Sequence, residues 1–128
     1  MPTVLIADDE QHIRLLIAQA LEELGDATVE VRTAADGVLA LAAIRRDRPE
    51  LVFLDVMLPE RNGFEVCRSI KDDPELHGTT VVMLMARGQA YDRVAGEAAG
   101  ADRYLTKPFD PDELLEVARA ALGLAGAA

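Results

Sequence analysis

Three apolar runs in this chain each end in charge. Val4-Leu5-Ile6-Ala7 runs into Asp8-Asp9-Glu10, Leu51-Val52-Phe53-Leu54 into Asp55, and Tyr104-Leu105-Thr106 into Lys107-Pro108. Carboxylates and one ammonium drawn into a common pocket would suit a hard cation and, with it, a phosphoryl group. Like charges ~4 Å apart repel by several kcal/mol at an effective dielectric near 20. A divalent ion with oxygen ligands relieves that repulsion, and magnesium keeps positions open for phosphate oxygens. A carboxylate beside it can act as a nucleophile toward phosphorus, and Lys107 can stabilise the charge on the transferred group. Each Asp also lies between a strand and a helix and so could be a plain N-cap. That rival is serious for Asp9 and weak for Asp55, because Val56-Met57-Leu58-Pro59 is no helix start.

Positioning these groups requires strands whose carboxyl ends lie together. Short continuous apolar runs suit strands buried on both faces of a parallel sheet. The chain alternates strand and helix five times. Strands are predicted at Thr3 to Ala7, Thr28 to Arg32, Leu51 to Leu54, Val81 to Met85 and up to Lys107. The second alternates Val29 and Val31 with charge, as an edge strand does. The first helix carries Ile13, Leu16, Ile17, Ala20, Leu21 and Leu24 on an inward stripe, with Gly25 as its cap. The second starts at Asp36-Gly37, buries Ala40, Leu41 and Ile44, and stops before Pro49. Asn62 caps the third, which carries Phe64, Val66, Cys67 and Ile70. A loose, alanine-faced helix through Val94, Ala95, Ala98 and Ala99 ends at Gly100. Asp110-Pro111 opens the last, with Leu114, Leu115, Ala118 and Leu122 inward. Such alternation implies a parallel sheet covered by helices on both faces, with right-handed crossovers.

With 128 residues the chain is expected to form one domain, here 1–122, followed by a Gly/Ala-rich tail or linker start at 123–128. Half its residues are apolar, so a real core is expected rather than disorder. A net charge of -10 argues against direct nucleic-acid binding, which needs a basic footprint. Any influence on DNA would run through another domain or partner. No apolar run reaches the ~20 residues that span a bilayer, and Met1-Pro2-Thr3 opens no secretory signal. The single cysteine, Cys67, fits a reducing cytoplasm and a small core position.

The motifs Leu5-Ile6-Ala7-Asp8-Asp9-Glu10, Leu54-Asp55-Val56-Met57-Leu58-Pro59 with Asn62-Gly63, and Gly100 to Phe109 resemble those of the receiver domain of two-component response regulators. The likeness runs from about Thr3 to Leu122. It implies an α/β, flavodoxin-like, doubly wound sheet of five parallel strands in the order 2-1-3-4-5. It implies Asp55 as phosphoacceptor, taking phosphate from a histidine kinase or a histidine phosphotransfer protein. It implies Asp9, Asp55 and the Met57 carbonyl as direct Mg2+ ligands, with Asp8 holding the ion through water. Lys107 would pair with the phosphoryl group, and the Lys107-Pro108 bond is expected to be cis. The signalling face would be the fourth predicted helix, the fifth strand and the last helix, through which many receivers also form homodimers. Arg93, Glu97, Asp102 and Arg119 fall on that face and, by default, are solvated charge.

The chain departs from the pattern at Met85. Receivers usually carry Thr or Ser there, with a hydroxyl that contacts the phosphoryl oxygen, and Tyr104 matches the aromatic partner of that switch. Read without the resemblance, Met85 is one more apolar residue of a buried strand and Tyr104 a half-buried strand tyrosine. Met57 and Arg87 flank the site and would tune phosphoryl lifetime. His12 and His77 have no ligand neighbours at metal spacing and suit the surface. The leading reading is a phosphorylatable switch rather than an enzyme turning over a foreign substrate. The alternative is a pseudo-receiver that binds a partner constitutively. A flavin-binding or phosphatase reading is poor. Asp8-Asp9-Glu10 repels phosphate without metal, and Met57 stands where a haloacid-dehalogenase-type phosphatase needs its second Asp.

Overall fold

A computed structural model describes residues 2–24, 29–86 and 99–123. Five strands, β1 (Thr3–Ala7), β2 (Glu30–Ala34), β3 (Leu51–Asp55), β4 (Thr80–Ala86) and β5 (Arg103–Lys107), form one sheet. All neighbours are parallel, in the order β2-β1-β3-β4-β5. Among the described residues four α-helices flank it: α1 (Gln11–Leu21), α2 (Gly37–Asp47), α3 (Gly63–Asp72) and a C-terminal helix (Pro111–Leu122). A 3-10 turn, Glu22–Leu24, extends α1.

Side chains alternate across a strand, so each apolar run supplies both faces of the sheet. Leu5, Ala7, Val52, Leu54, Val81, Met83 and Met85 point to a core shared with Ala40 and Ile44 of α2 and Val66, Cys67 and Ile70 of α3. Val4, Ile6, Leu51, Phe53, Val82 and Leu84 point to the other, with Ile17 and Leu21 of α1 and Leu114 and Ala118 of the C-terminal helix. Every residue of β3 is buried, as befits the middle strand. The second strand is an edge strand, but it spans Glu30–Ala34 rather than Thr28 to Arg32. Its register explains the shift, since all five positions pair with Thr3 to Ala7. Strand three likewise takes in Asp55, whose backbone pairs with Leu84, and strand four takes in Thr80 and Ala86.

The caps follow local chemistry. Asp36, Asn62 and Asp110 each accept a backbone N–H at the start of α2, α3 and the C-terminal helix. Asp9 does not cap α1. Glu10 holds that position without a side-chain bond, and the Glu10 N–H goes to Asp8 at 2.9 Å. Leu16, assigned to the inward stripe, is 44% exposed. The helix buries Ile17, Leu21 and Leu24 instead and leaves Leu16 on its flank. Asp102 is exposed, as expected, but it is also engaged. Its carboxylate accepts the Val81 N–H at 2.8 Å and pairs with Lys71 Nζ at 2.8 Å, tying α3 to the entries of β4 and β5. Arg119 reaches the Glu23 carbonyl at 3.4 Å. Gly25, Arg87, Arg93, Glu97, most of the alanine-faced helix and the tail after Gly123 lie outside the described residues; Ala99, at that helix's end, is buried.

Two glycines set the loop after β3. The Gly63 N–H bonds the Val56 carbonyl at 2.9 Å, and a Cβ on Gly63 would lie 2.3 Å from the Asp55 carbonyl oxygen. The Gly37 N–H bonds the Pro59 carbonyl at 3.0 Å, and a Cβ there would lie 1.8 Å from the Arg61 carbonyl oxygen. Both neighbours are backbone and cannot rotate away. Gly63→Ala and Gly37→Ala are each expected to lower stability by about 3 kcal/mol or more, the upper range for overpacking. Gly78→Ala, whose Cβ meets nothing within 4 Å, should stay within about 0.5 kcal/mol. Urea melts of the three variants check this.

Candidate functional site

The carboxyl ends of β1, β3 and β5 bring Asp8, Asp55 and Lys107 together, as parallel strands must. Asp8 is fully buried and Asp55 is 4% exposed. The Asp8 backbone is fixed on both sides. Its N–H bonds the Ala34 carbonyl at 3.1 Å, and its carbonyl accepts Arg14 Nη1 at 2.7 Å. Its Oδ1 accepts the Glu10 N–H. Its Oδ2 makes no sound hydrogen bond and is met by the Lys107 ammonium at 2.8 Å as a charge partner. Asp55 Oδ1 accepts the Met57 N–H at 3.1 Å, while Oδ2 lies 3.5 Å from Lys107 Nζ. Glu10 Oε1 is 3.8 Å from the same nitrogen. One lysine therefore answers three carboxylates.

Burial, and then the charge of Asp8, raises the Asp55 pKa above the ordinary carboxylate value; the Met57 N–H and Lys107 oppose the rise. Burial alone would lower the Lys107 pKa. Its close pairing with Asp8 and the charges of Asp55, Asp8 and Glu10 outweigh that and leave it raised. Asp55 is raised chiefly by burial and Lys107 by its carboxylate neighbours, and neighbouring carboxylate charge pushes both upward.

Carboxylate oxygens of Asp8, Asp9 and Glu10 lie within 4.8 Å of one another. Asp55 is outside that group and joins it through Lys107. The donors fit a small hard cation. They are all oxygens, one of them (Asp8 Oδ2) is buried without a hydrogen bond, and their negative charge exceeds what one lysine balances. Glu10, which follows Asp8 and Asp9 in the motif, belongs to the group because the tight turn from β1 into α1 brings it back over Lys107. Met57 is 63% exposed at the mouth of the site. The Lys107-Pro108 peptide bond is cis.

Met85 is 2% exposed and packs in the core cluster of the α2–α3 side, with half-buried Tyr104 against the same cluster. It pairs with Thr106, and Met83 with Tyr104, so Met85 and Tyr104 occupy adjoining strands on one face. Cys67 is buried, its thiol pushed up to about 11 by burial, and its Sγ lies 3.5 Å from the Ala99 carbonyl. It is a packing residue. Among the described residues His12 pairs with Glu10 and His77 with the Pro74 carbonyl.

Comparison with known proteins gives the arrangement its context. The family model described as "Response regulator receiver domain" matches residues 4–119. Protein PilG of Pseudomonas aeruginosa is 37% identical over 117 residues, which cover 91% of this chain and 84% of that protein. The DNA-binding dual master transcriptional regulator RpaA of Synechocystis is 42% identical over 122 residues, 95% of this chain but 49% of RpaA. The chain spans about half the length of several curated relatives it matches. Among solved structures, the chemotaxis response regulator CheY4 of Vibrio cholerae superposes with a TM-score of 0.84 at 33% identity, covering 94% of this chain and 98% of that one. The receiver domain of NtrX from Brucella abortus does so with 0.81 at 39% identity, covering 95% and 99%.

Two outcomes follow from the electrostatics. Asp55→Asn should raise stability near neutral pH, because it removes a carboxylate whose charged form is disfavoured in the folded state. A raised carboxyl pKa subtracts stability above that pKa and ceases to as pH falls through it. The gain should therefore shrink as the solution is acidified toward the ordinary carboxylate range, as thermal melts from pH 7 to pH 4 check. Lys107→Ala should cost about 3 kcal/mol in metal-free buffer, since it leaves the buried Asp8 charge unanswered; denaturant unfolding measures it.

Proposed function

The chain belongs to the response regulator receiver domain family, and from that premise we propose that it is a phosphorylatable switch whose acceptor is Asp55. The observation that carries this reading is the buried Asp55 carboxylate at the end of the middle strand, with the Lys107 ammonium 3.5 Å from its Oδ2. In the proposed reaction an Asp55 oxygen attacks the phosphorus of a phosphohistidine on a kinase or phosphotransfer protein. The P–N bond breaks, the imidazole leaves, and an aspartyl phosphate forms. Raised basicity from burial makes the attacking oxygen a better nucleophile, and charge on the transferred group falls beside Lys107. Asp8, Asp9 and Asp55, with the Met57 carbonyl, are the proposed holders of magnesium, and Glu10 lies close enough to join them. When bound, the ion would neutralise the carboxylates and the incoming phosphoryl oxygens. Asp8 then holds Lys107 near the acceptor. A cytoplasmic setting with a kinase as partner suits this reading. Among the described residues no helix is long and apolar enough to cross a membrane.

A second reading rests on Met85. A hydroxyl bonded to a charged phosphoryl oxygen contributes about 1.5–3 kcal/mol, and a thioether supplies no such donor. If that bond exists only in the active conformation, its loss weakens the response by ~30-fold for about 2 kcal/mol. Met85 also fills space on the face Tyr104 would enter. The chain would then accept phosphate yet signal weakly, or serve as a constitutive interaction module on the face of the fourth predicted helix, β5 and the C-terminal helix.

Incubation with acetyl phosphate and magnesium should add one phosphate mass to Asp55 and none in Asp55→Asn. Label that persists in the variant would give the acceptor role to another residue. Magnesium at a hundred times its dissociation constant should raise stability by about 2.7 kcal/mol, and Asp9→Ala should abolish most of that gain; melts in magnesium against EDTA test it. NMR shifts around Tyr104 on adding beryllofluoride should be small in the natural chain and large in Met85→Thr. Equal, full-sized shifts in both would show that the switch runs without the hydroxyl.

A further inference from the structure

Away from the acidic pocket, α1 and α2 leave an open groove of about 400 Å³ over the end of the edge strand β2. Its floor is apolar, from Ala34, Leu39 and Ala43, and Thr33 adds one hydroxyl. Leu39 is 56% exposed and its neighbour Val38 51%, so this helix surface presents large apolar side chains to solvent. Arginines stand on both sides, Arg14 from α1 and Arg46 from α2. Arg46 is mostly exposed and is steadied by two bonds to Asp47, both 3.0 Å, through Nε and Nη2. Arg14 gives Nη1 to the Asp8 carbonyl. In a chain whose net charge is -10, this apolar groove is flanked by two guanidinium groups, one of them paired with Asp47.

We propose that this groove docks a short amphipathic segment of a protein partner, with apolar side chains over Leu39 and Ala43 and carboxylates toward Arg14 and Arg46. Charge complementarity selects the occupant. An acidic segment is repelled by most of this surface and attracted here, so the groove specifies position as well as binding. Guanidinium groups favour carboxylates because their planar donors match two oxygens at once. Arg14 gives the groove a second consequence. A carboxylate that engages its remaining donors competes with, or reorients, the bond that holds the Asp8 carbonyl, so occupancy and the acidic pocket are linked through one side chain. Any such linkage acts equally in both directions.

The test uses the whole chain, unphosphorylated and in EDTA, so its failure leaves the reading of Asp55 untouched. The probe is a fluorescein-labelled helical peptide of Leu and Glu, and its control carries Lys at every Glu position. Binding is followed by anisotropy and by amide shifts on 15N-labelled protein. The Glu peptide should shift Arg14, Thr33, Ala34, Leu39, Ala43 and Arg46, with a smaller change reaching Asp8, and the Lys peptide should not bind there. Arg46→Glu, at an exposed position, should weaken the Glu peptide by about tenfold or more, as loss of a charge-assisted contact does. Leu39→Glu should abolish the groove shifts. Unchanged circular dichroism in both variants excludes misfolding as the cause. Equal binding of the two peptides, shifts centred on another face, or no binding of either at millimolar concentration would overturn the proposal.

Discussion

A single half-buried ammonium shared by more carboxylates than it can neutralise is the constraint around which this protein is organised. Lys107 Nζ sits 2.8 Å from Asp8, 3.5 Å from Asp55 and 3.8 Å from Glu10. Parallel strands create this situation unavoidably, because the residue that ends each strand is delivered to the same edge. The hydrophobic interior supplies the enforcement. Val4 to Ala7 and Leu51 to Leu54 are all buried, so Asp8 and Asp55, which directly follow them, cannot retreat into solvent without dismantling the core. Asp55 then carries a raised pKa, and Lys107 is held charged.

An unbalanced site is also a responsive one. A pocket whose charges were already matched would gain little from a cation and would repel a phosphoryl group less selectively. Here the excess charge suits a small hard ion, and burial keeps Asp55 basic. The cost falls on the stability of the empty site and is offset elsewhere by two complete hydrophobic layers. The backbone around the site is correspondingly over-determined. Arg14 and Ala34 hold Asp8, the Met57 N–H holds Asp55, and Gly37 and Gly63 allow the loop after β3 to press against its neighbours.

Met85 shows how far the chemistry and the signalling can be separated. The residues that would carry phosphoryl transfer lie at the strand ends and are polar. Met85 sits one position before the end of β4, on the opposite face from Leu84, in the core with Tyr104 packed against the same cluster. Its neighbours treat it as core. Substitution there changes the packing of the α2–α3 side of the sheet without removing any group from the acidic pocket.

Much of this was legible in the chain itself, because the determining interactions are local. Apolar runs of three or four residues ending in Asp or Lys identify strands and their carboxyl ends, and Asp36, Asn62 and Asp110 mark helix starts through bonds within three residues. The motif order points to the family and hence to the strand order. What only the tertiary structure decided are the long-range pairings. Asp102 locks β4 across 21 residues, a role invisible in a residue flanked by ordinary loop sequence. The register of β2 is set by β1, not by its own alternation. Leu16 lies outside the buried stripe because helix rotation is chosen by the sheet and the C-terminal helix together. Glu10 joins Asp8 and Asp9 because the turn after β1 folds it back, and Lys107 stands closest to Asp8, the most deeply buried of its partners. Periodicity and composition report which face a residue prefers; which distant charge it meets there depends on how the layers pack.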